Sequence, residues 1–314
     1  MEAEKSGLAY SAVTQETAVP TRKKKKSKGY LLIWPAFAFV LFFLIIYPFG
    51  YNVYQSFFEY SMLTDTSRFV GFGNYIGLFT KIDYLRSLWT GGLIAVVSLA
   101  IETVLGLAIA IVLNQKFKGR VVARILLILP LGTIPVINGY MFNVLFFPNA
   151  SVVDHILNFL GLVHGPIPWL QDPTLARIVI ILLDVWQWTS FMIIILLAGL
   201  SAIPESSYEL ARLDNMSKWT TFWRITLPKI KFPLALAMLI RGMDLLKFFD
   251  GVFALTKGGP QSATETVSFY IFRTGFRTFN IGFASAASVI VWAIIWVAAF
   301  IVITKMFGTS EAKA

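Results

Sequence analysis

The strongest constraint on the fold is a series of six long apolar runs separated by polar segments. A helix needs about 20 apolar residues to cross a membrane, because it rises about 1.5 Å per residue through a hydrocarbon core of about 30 Å. With 57% hydrophobic and 14% charged residues, the chain is also too apolar for an ordinary soluble domain. The sequence therefore predicts an all-α polytopic membrane protein with spans near residues 31–54, 88–113, 121–147, 174–200, 230–255 and 282–306.

Positive charge is unevenly distributed over the segments that join the predicted spans. Lys and Arg number seven in residues 1–29, four in 114–124, five in 201–231 and two at the C-terminus, against six in all the opposite segments. Because cytoplasmic segments are enriched in these residues, we expect both termini on the cytoplasmic side. We interpret residues 1–29 as a disordered basic tail that touches membrane lipids, residues 30–306 as the transmembrane domain and residues 307–314 as a short cytoplasmic tail.

Several classes of function are disfavoured by what the sequence lacks. It has no cysteine and only two histidines, His155 and His164, so neither a metal site nor a catalytic Ser-His constellation is expected. It contains no G-x-x-x-x-G-K-[ST] phosphate loop, so no ATP site of that kind is expected. The net charge of +10 reflects membrane topology, and no nucleic acid partner is predicted.

The segment 203–228, IPESSYELARLDNMSKWTTFWRITLP, is polar and able to fold, although it lies between two apolar runs. Ser206 and Glu209 have the spacing of a capping box, which predicts a short helix ending near Leu213. Asn215 suits the left-handed conformation that stops a helix. A second short helix is predicted from Lys218 to Trp223, with Pro228 reopening the chain. The segment is therefore predicted to be a folded cytoplasmic docking surface.

This segment resembles the EAA loop of binding-protein-dependent ABC import permeases. The residues that carry the resemblance, and that we predict to couple the chain to an ATPase, are Glu209, Leu210, Ala211, Asp214, Asn215, Ile225, Leu227 and Pro228. Two positions depart from the family pattern, since Leu210 replaces an alanine and Asn215 replaces a glycine. The runs 183–204, 245–276 and 280–294, together with the ILP of 128–130, resemble further core helices of the carbohydrate-type permeases.

The resemblance covers about residues 30–306 and implies the type I ABC importer permease fold, with cytoplasmic coupling helices. It implies one permease subunit of a sugar importer in the cytoplasmic (inner) membrane of a bacterium or archaeon. The expected partners are a second permease, an extracytoplasmic sugar-binding protein and separate ATP-binding subunits. Because the family usually pairs non-identical permeases, a heterodimer is favoured. ATP and Mg²⁺ would bind the ATPase subunits, and no cofactor is expected in this chain.

Charged residues inside the predicted spans need partners or a function, because each costs several kcal/mol at bilayer depth. Arg241, Asp244, Lys247 and Asp250 alternate in sign at intervals of three, which allows i,i+3 pairing on a helix. This stripe is open to two interpretations, internal neutralisation and substrate contact. Glu102, in the second predicted span, is expected to pair within the bundle.

Carboxylates, amides and aromatic faces are the groups that bind sugars, and the predicted spans contain all three. In related permeases the third, fourth and fifth spans line the substrate pocket, and the resemblance carries that role to matching positions here. The candidate substrate-binding residues are Pro135, Asn138, Asp184, Gln187, Trp188, Phe191, Asp244, Lys247 and Phe248. Trp186 and Trp188 also fit ordinary packing. A neutral oligosaccharide is favoured over an acidic sugar, because Asp244 and Asp250 offset the charges of Arg241 and Lys247.

Two smaller features and one rival function complete the prediction. The stretch from Gly282 to Ser288 is rich in small residues, which favours close helix approach within the bundle or between subunits. Residues 148–162 have the periodicity of a short amphipathic helix, and residues 68–79 are suited to an interfacial aromatic belt or a vestibule. The alternative function is an ion-coupled secondary carrier of a small polar solute, in which Glu102, Asp184 or Asp250 would relay protons.

Overall fold

The computed structural model describes residues 30–63, 66–148 and 150–311. It divides the chain into two units, residues 1–50 and residues 51–314. The predicted basic tail, residues 1–29, and the last three residues lie outside the described residues. From residue 30 the chain forms α1 (Tyr30–Val40), a π-helical segment (Leu41–Ile46) and α2 (Tyr47–Ser56).

The remainder of the chain is mostly helical, with one short hairpin. In chain order its elements are β1 (Phe58–Ser61), β2 (Thr66–Phe69), α3 (Gly73–Thr80), α4 (Ile82–Asn114), α5 (Arg120–Ile128), a 3₁₀ turn (Leu129–Gly132), α6 (Pro135–Leu145), α7 (Val152–Phe159), α8 (Pro173–Ser201), α9 (Glu205–Leu213), α10 (Lys218–Thr221), a π-helical segment (Phe222–Thr226), α11 (Leu227–Leu245), α12 (Asp250–Leu255), α13 (Val267–Phe272), a second π-helical segment (Arg273–Arg277) and α14 (Ile281–Glu311).

Four helices among the described residues are long and apolar enough to cross a membrane. They are Trp34–Ser56, Ile82–Asn114, Pro173–Ser201 and Ile281–Lys305. A fifth span results if the bent pair Arg120–Gly132 and Pro135–Leu145 is counted as one. The prediction of an all-α multi-span membrane protein is thus confirmed in its main features, whereas the number of six spans stays a prediction.

The third and fifth predicted spans depart from single straight helices. The third bends by 99° between α5 and α6, where Pro130 and Pro135 each lack the backbone N–H that a continuing helix needs. The fifth predicted span, residues 230–255, divides into α11 and α12 with a break between them. Four charged side chains make α11 less apolar than a typical span: Lys229, Lys231, Arg241 and Asp244.

A two-stranded antiparallel hairpin is the exception to the predicted all-α fold. Strand β1 pairs with β2, with Phe58 opposite Phe69, and their ring centroids lie 5.3 Å apart. The side-chain amide of Asn74 donates to the carbonyl oxygens of Ser56 and Phe58 at 2.8 and 2.9 Å, which fixes the hairpin to the start of α3. The predicted aromatic segment 68–79 is therefore part of a folded unit made of the hairpin and α3. The predicted amphipathic helix near 148–162 forms as α7.

The core of the second unit centres on the packing of α4 against α8. The two helices approach closely because Gly106 has no side chain, and a Cβ there would lie 2.5 Å from the Cβ of Met192. Ala110, Met192 and Leu196 are fully buried in the same cluster. Further along both helices, Ile94 and Ile180 meet in a second cluster. The same register therefore holds over several turns of the pair.

The Gly106→Val substitution should destabilise the protein by about 1–3 kcal/mol, because the added methyl groups must separate α4 from α8. The measurement is the midpoint of thermal unfolding in detergent micelles. Gly92→Val is the matched control, because Gly92 lies on the same helix with nothing within 4 Å of its Cβ position. Equal midpoints for the two variants would contradict this account of the α4 and α8 contact.

The small residues at the start of α14 form an intrachain seam. Ala286 and Ala287 are fully buried beside Leu78 and Tyr84, and Gly282 lies against the carbonyl oxygen of Phe58 with no room for a Cβ. Of the two roles predicted for this patch, packing within the bundle is therefore the one observed. At its other end α14 reaches Glu311, so the helix continues into the segment predicted as a short tail.

The segment 203–228 folds as two helices, and the predicted end of the first at Leu213 and start of the second at Lys218 are confirmed. Helix α9 begins after Pro204, which has no side-chain capping bond, so the predicted capping box of Ser206 and Glu209 is wrong. Asn215 has φ = 52°, as predicted for a helix stop. Ser217 caps the second helix by accepting a hydrogen bond from the backbone N–H of Thr220 at 3.2 Å.

Pro228 does not reopen the chain as predicted. It lies at the first turn of α11, and the helical path runs from Lys218 to Leu245 through a π-helical segment. Proline is tolerated there because the missing N–H weakens only local hydrogen bonding, and the wider π turn adapts to it. The second short helix of the segment 203–228 is thus continuous with the helix that carries Arg241.

Candidate coupling helix and transport site

A buried ionic cluster joins three helices in the middle of the bundle. The Arg241 guanidinium on α11 contacts both carboxylate oxygens of Glu102 on α4, at 2.9 and 3.1 Å. It also donates to Asp184 on α8 at 2.6 Å and to Asp244 at 3.1 Å. Arg241, Glu102 and Asp184 are each at most 1% exposed. The cluster therefore links residues 139 positions apart in the chain.

The cluster confirms part of the predicted pairing and extends it. Asp244 pairs with Arg241 at 3.1 Å and with Lys247 at 3.7 Å, both at the i,i+3 spacing. Glu102 pairs within the bundle, as expected. Pairing on this scale offsets the cost of taking charges out of water. One buried oxygen of the cluster, Asp184 Oδ2, receives no hydrogen bond from the described residues.

Three of the predicted substrate-binding residues are buried in this conformation. Asp184 contacts Arg241, while Asn138 and Gln187 are 3% and 4% exposed. The amide of Asn138 donates to the Thr133 hydroxyl at 2.7 Å, and that of Gln187 donates to the Thr133 carbonyl oxygen at 3.3 Å. Thr133 lies at the bend between α5 and α6, so these two amides stabilise the bend.

The other predicted residues retain accessible surface. The side chains of Asp244 and Lys247 are 44% and 60% exposed. Trp188 lies under the Arg241 guanidinium, 4.6 Å from the ring centroid, and packs edge-on to Phe191 at 6.4 Å. Pro135 and Phe248 are half-buried. Phe248 packs against the core around Ile180. Arg241 therefore joins Asp184, Trp188 and Asp244 in one cluster.

Helix α9 presents one face to solvent and the other to the bundle. Leu210 and Leu213 are 61% and 77% exposed, and Glu209 is exposed beside them, whereas Ala211 is 3% exposed. Asp214, Asn215 and Pro228 are exposed, and Ile225 and Leu227 are half-buried. Two large exposed leucines beside a carboxylate are typical of a surface that docks a protein.

Sequence reasoning missed the residues that hold the site together. Thr133 was not singled out, although its position between a glycine and a proline-containing turn marks a bend. The pairing of Arg241 with Glu102 was also missed. One signal could have revealed this pair: a carboxylate inside an apolar run needs a cation at a similar depth in the membrane. Arg177, which donates to the Ala263 carbonyl oxygen at 2.7 Å, gave no such signal.

Several apolar helices, a buried charge cluster and a short helix with exposed leucines are typical of a membrane transport component. The family described as binding-protein-dependent transport system inner membrane component matches residues 73–306. The chain belongs to this family and is a multi-pass membrane protein. The resemblance to ABC import permeases is thereby confirmed.

Individual relatives match most of the chain. The trehalose/maltose transport system permease protein MalF of Thermococcus litoralis is 33% identical over 267 residues, 85% of this chain and 89% of that protein. The trehalose transport system permease protein SugA of Mycobacterium tuberculosis is 31% identical over 307 residues, 96% of this chain and 97% of that protein. The sulfoquinovosyl glycerol transport system permease protein SmoG of Agrobacterium fabrum is 33% identical over 265 residues, 84% of this chain and 85% of that protein.

A solved structure has the same fold. A chain of a bacterial alginate ABC transporter, crystallised in complex with an alginate pentasaccharide-bound periplasmic protein, superposes with a TM-score of 0.74 at 22% identity. The match covers 87% of this chain and 92% of that chain. This similarity supports the ABC permease architecture of the fold.

Proposed function

We propose that the chain is a permease subunit of an ABC importer that takes a sugar or oligosaccharide from a solute-binding protein into the cytoplasm. The observation that carries the proposal is the family match over residues 73–306. Relatives named as trehalose/maltose, trehalose and sulfoquinovosyl glycerol permeases support the carbohydrate class. The chain itself is not an enzyme in this proposal, and ATP with Mg²⁺ binds a separate ATPase subunit.

The proposed assembly contains two permeases, two ATP-binding subunits and one extracytoplasmic binding protein. The exposed face of α9 docks on the ATPase, which explains two exposed leucines on a short polar helix. The proposed protein crosses the membrane six times, and this even number places both termini in the cytoplasm. The distribution of Lys and Arg agrees with that orientation. In that topology α11 and α12 together form the fifth crossing of the membrane. Neighbouring subunits cover the charged parts of this crossing.

The proposed substrate site lies along the accessible side of the ionic cluster. Asp244 and Lys247 supply an acceptor and a donor for hydroxyl groups, and Trp188 and Phe191 supply aromatic faces. Pro135 and Phe248 complete the apolar surface, while Asn138, Asp184 and Gln187 support the site from behind. Because Asp244 and Lys247 pair with each other, the accessible charge is balanced. A neutral oligosaccharide is therefore the favoured substrate.

Uptake of two labelled sugars by membrane vesicles that contain the whole complex tests the substrate class. We expect ATP-dependent uptake of a neutral disaccharide, and at most a minor uptake of a uronate. The Lys247→Gln variant serves as the charge control, because it leaves Asp244 with only the buried Arg241 as partner. Uptake of the uronate alone by the parent complex would overturn the neutral assignment.

The second candidate function, an ion-coupled carrier, is favoured by one observation. Three carboxylates share the Arg241 guanidinium, and Asp184 Oδ2 has no hydrogen bond from the described residues. Buried carboxylates of this kind form proton relays in carriers. The discriminating experiment measures solute uptake by sealed vesicles that are supplied with either ATP or an imposed proton gradient. Uptake that follows ATP supports the importer, and uptake that follows the gradient without ATP supports the carrier.

A further inference from the structure

A cavity of about 580 Å³ lies against α9, on the side away from the exposed Leu210 and Leu213. The last turns of α4 and α8 form one wall, and α9, α10 and the following π-helical segment form the others. This volume lies within the usual range for small-ligand pockets. The cavity is remote from the ionic cluster and from the proposed substrate residues.

The walls of the cavity are tied together by side-chain hydrogen bonds. Ser201 on α8 donates to the side-chain oxygen of Asn114 on α4 at 3.3 Å. The hydroxyls of Tyr208 and Thr226 lie 3.4 Å apart and connect α9 to the π-helical segment. Ala211 and Leu200 on the floor are 3% and 2% exposed. The cavity is therefore a preformed feature of the fold.

The charged lining of the cavity is entirely positive. Arg212 from α9 and Lys218 from α10 line it, and no carboxylate does. Neither cation forms an ion pair within residues 66–148 and 150–311. Both residues are otherwise exposed. An arginine and a lysine that line one pocket without a carboxylate are suited to a phosphate group.

The uncharged polar lining adds partners of a different kind. The amides of Asn114 and Gln115 and the hydroxyl of Thr221 also line the cavity, and each of these groups both donates and accepts hydrogen bonds. Hydroxyl groups on a ligand need partners of that kind. Apolar side chains, including Ile111 and Phe222, complete the surface.

We propose that this cavity binds the phosphate of a hydroxylated phosphoester, with Arg212 and Lys218 on the phosphate and Asn114 and Gln115 on the hydroxyl groups. Two sources have this chemistry, a glycerol-phosphate lipid headgroup and a soluble polyol phosphate. A ligand held in this way ties α9 to α10 and to the end of α4. Binding here does not depend on the proposed transport of sugar, so either proposal can fail without the other.

The test uses the full-length chain with two probes and one pair of variants. In the soluble arm, calorimetry measures the Kd of glycerol 3-phosphate for protein in lipid-free, uncharged detergent micelles. In the lipid arm, native mass spectrometry counts the phosphatidylglycerol molecules retained after extraction from vesicles of phosphatidylglycerol and phosphatidylcholine. The test variant is Arg212→Gln with Lys218→Gln. The control is Arg224→Gln with Lys231→Gln, which removes two exposed cations that do not line the cavity.

The proposal predicts a selective loss in the test variant. In at least one arm, binding by the test variant should weaken by about tenfold or more, whereas the control variant stays within about twofold of the parent. A loss in the soluble arm identifies a polyol phosphate, and a loss confined to the lipid arm identifies a headgroup. Equal binding by test and control variants in both arms, or no binding of either probe to the parent, would overturn the proposal.

Discussion

Replacing Arg241 by methionine is expected to lower the free energy of unfolding by about 3–5 kcal/mol, the largest stability change that the structure predicts for one side chain. The change leaves Glu102 and Asp184 fully buried without their cation. Methionine is long and flexible enough to fill much of the vacated volume, so lost packing contributes little. The measurement is the midpoint of thermal unfolding in detergent, followed by tryptophan fluorescence.

Two further variants separate loss of charge pairing from loss of packing. Lys247→Met removes a cation from the turn that follows α11, but its side chain is 60% exposed, so its midpoint should stay close to that of the parent. The triple variant Arg241→Met, Glu102→Gln, Asp184→Asn removes the stranded carboxylates and should recover a large part of the loss. If Arg241→Met were as stable as Lys247→Met, the ionic cluster would not hold the three helices together.

Reversing the charge of Glu209 is expected to abolish ATP-driven uptake while the protein stays folded in the membrane. Glu209 is exposed, and its side chain forms no hydrogen bond or ion pair with the described part of the chain, so Glu209→Lys removes little from the fold itself. It does place a cation beside Leu210 and Leu213, on the face proposed to contact the ATPase. Like charges and unpaired charges at an interface are strongly unfavourable. The measurement is ATP-dependent uptake by vesicles with the complete complex.

Glu205→Lys provides the matched control for this substitution. Glu205 lies one turn earlier on α9, is exposed, and undergoes the same change of charge. We expect this variant to retain most of the uptake, with a small loss of helix stability because a cation is unfavourable in a first turn. Both variants should reach the membrane in equal amounts. Normal uptake by Glu209→Lys would remove Glu209 from the coupling surface.

Features encoded within a short stretch of sequence could be predicted. The apolar runs gave α4, α8 and α14 near the expected positions, because length and hydrophobicity alone define such helices. Asn215 was expected to adopt positive φ, and it does so at 52°. The i,i+3 pair of Arg241 with Asp244 likewise follows from the geometry of one helix. Each of these features depends on neighbours within a few residues.

Features that depend on distant parts of the chain were not predicted, and two local predictions in the segment 203–228 were wrong. The contact between Arg241 and Glu102 requires the register of three helices, which the apolar pattern does not specify. The capping box failed because α9 begins earlier, at Glu205, which places Ser206 inside the first turn. The sequence predicts a break at Pro228, but the π-helical segment before it accommodates the missing N–H. The β hairpin depends on Asn74, which binds it from outside the strands.

The most direct test of the proposed mechanism is to purify the chain with its native neighbours, reconstitute it in vesicles, and measure sugar uptake with and without the co-purified ATPase subunit. The account predicts that an ATPase co-elutes, and that uptake requires both this subunit and ATP. Uptake at the full rate from vesicles that contain the permease but no ATPase would contradict it.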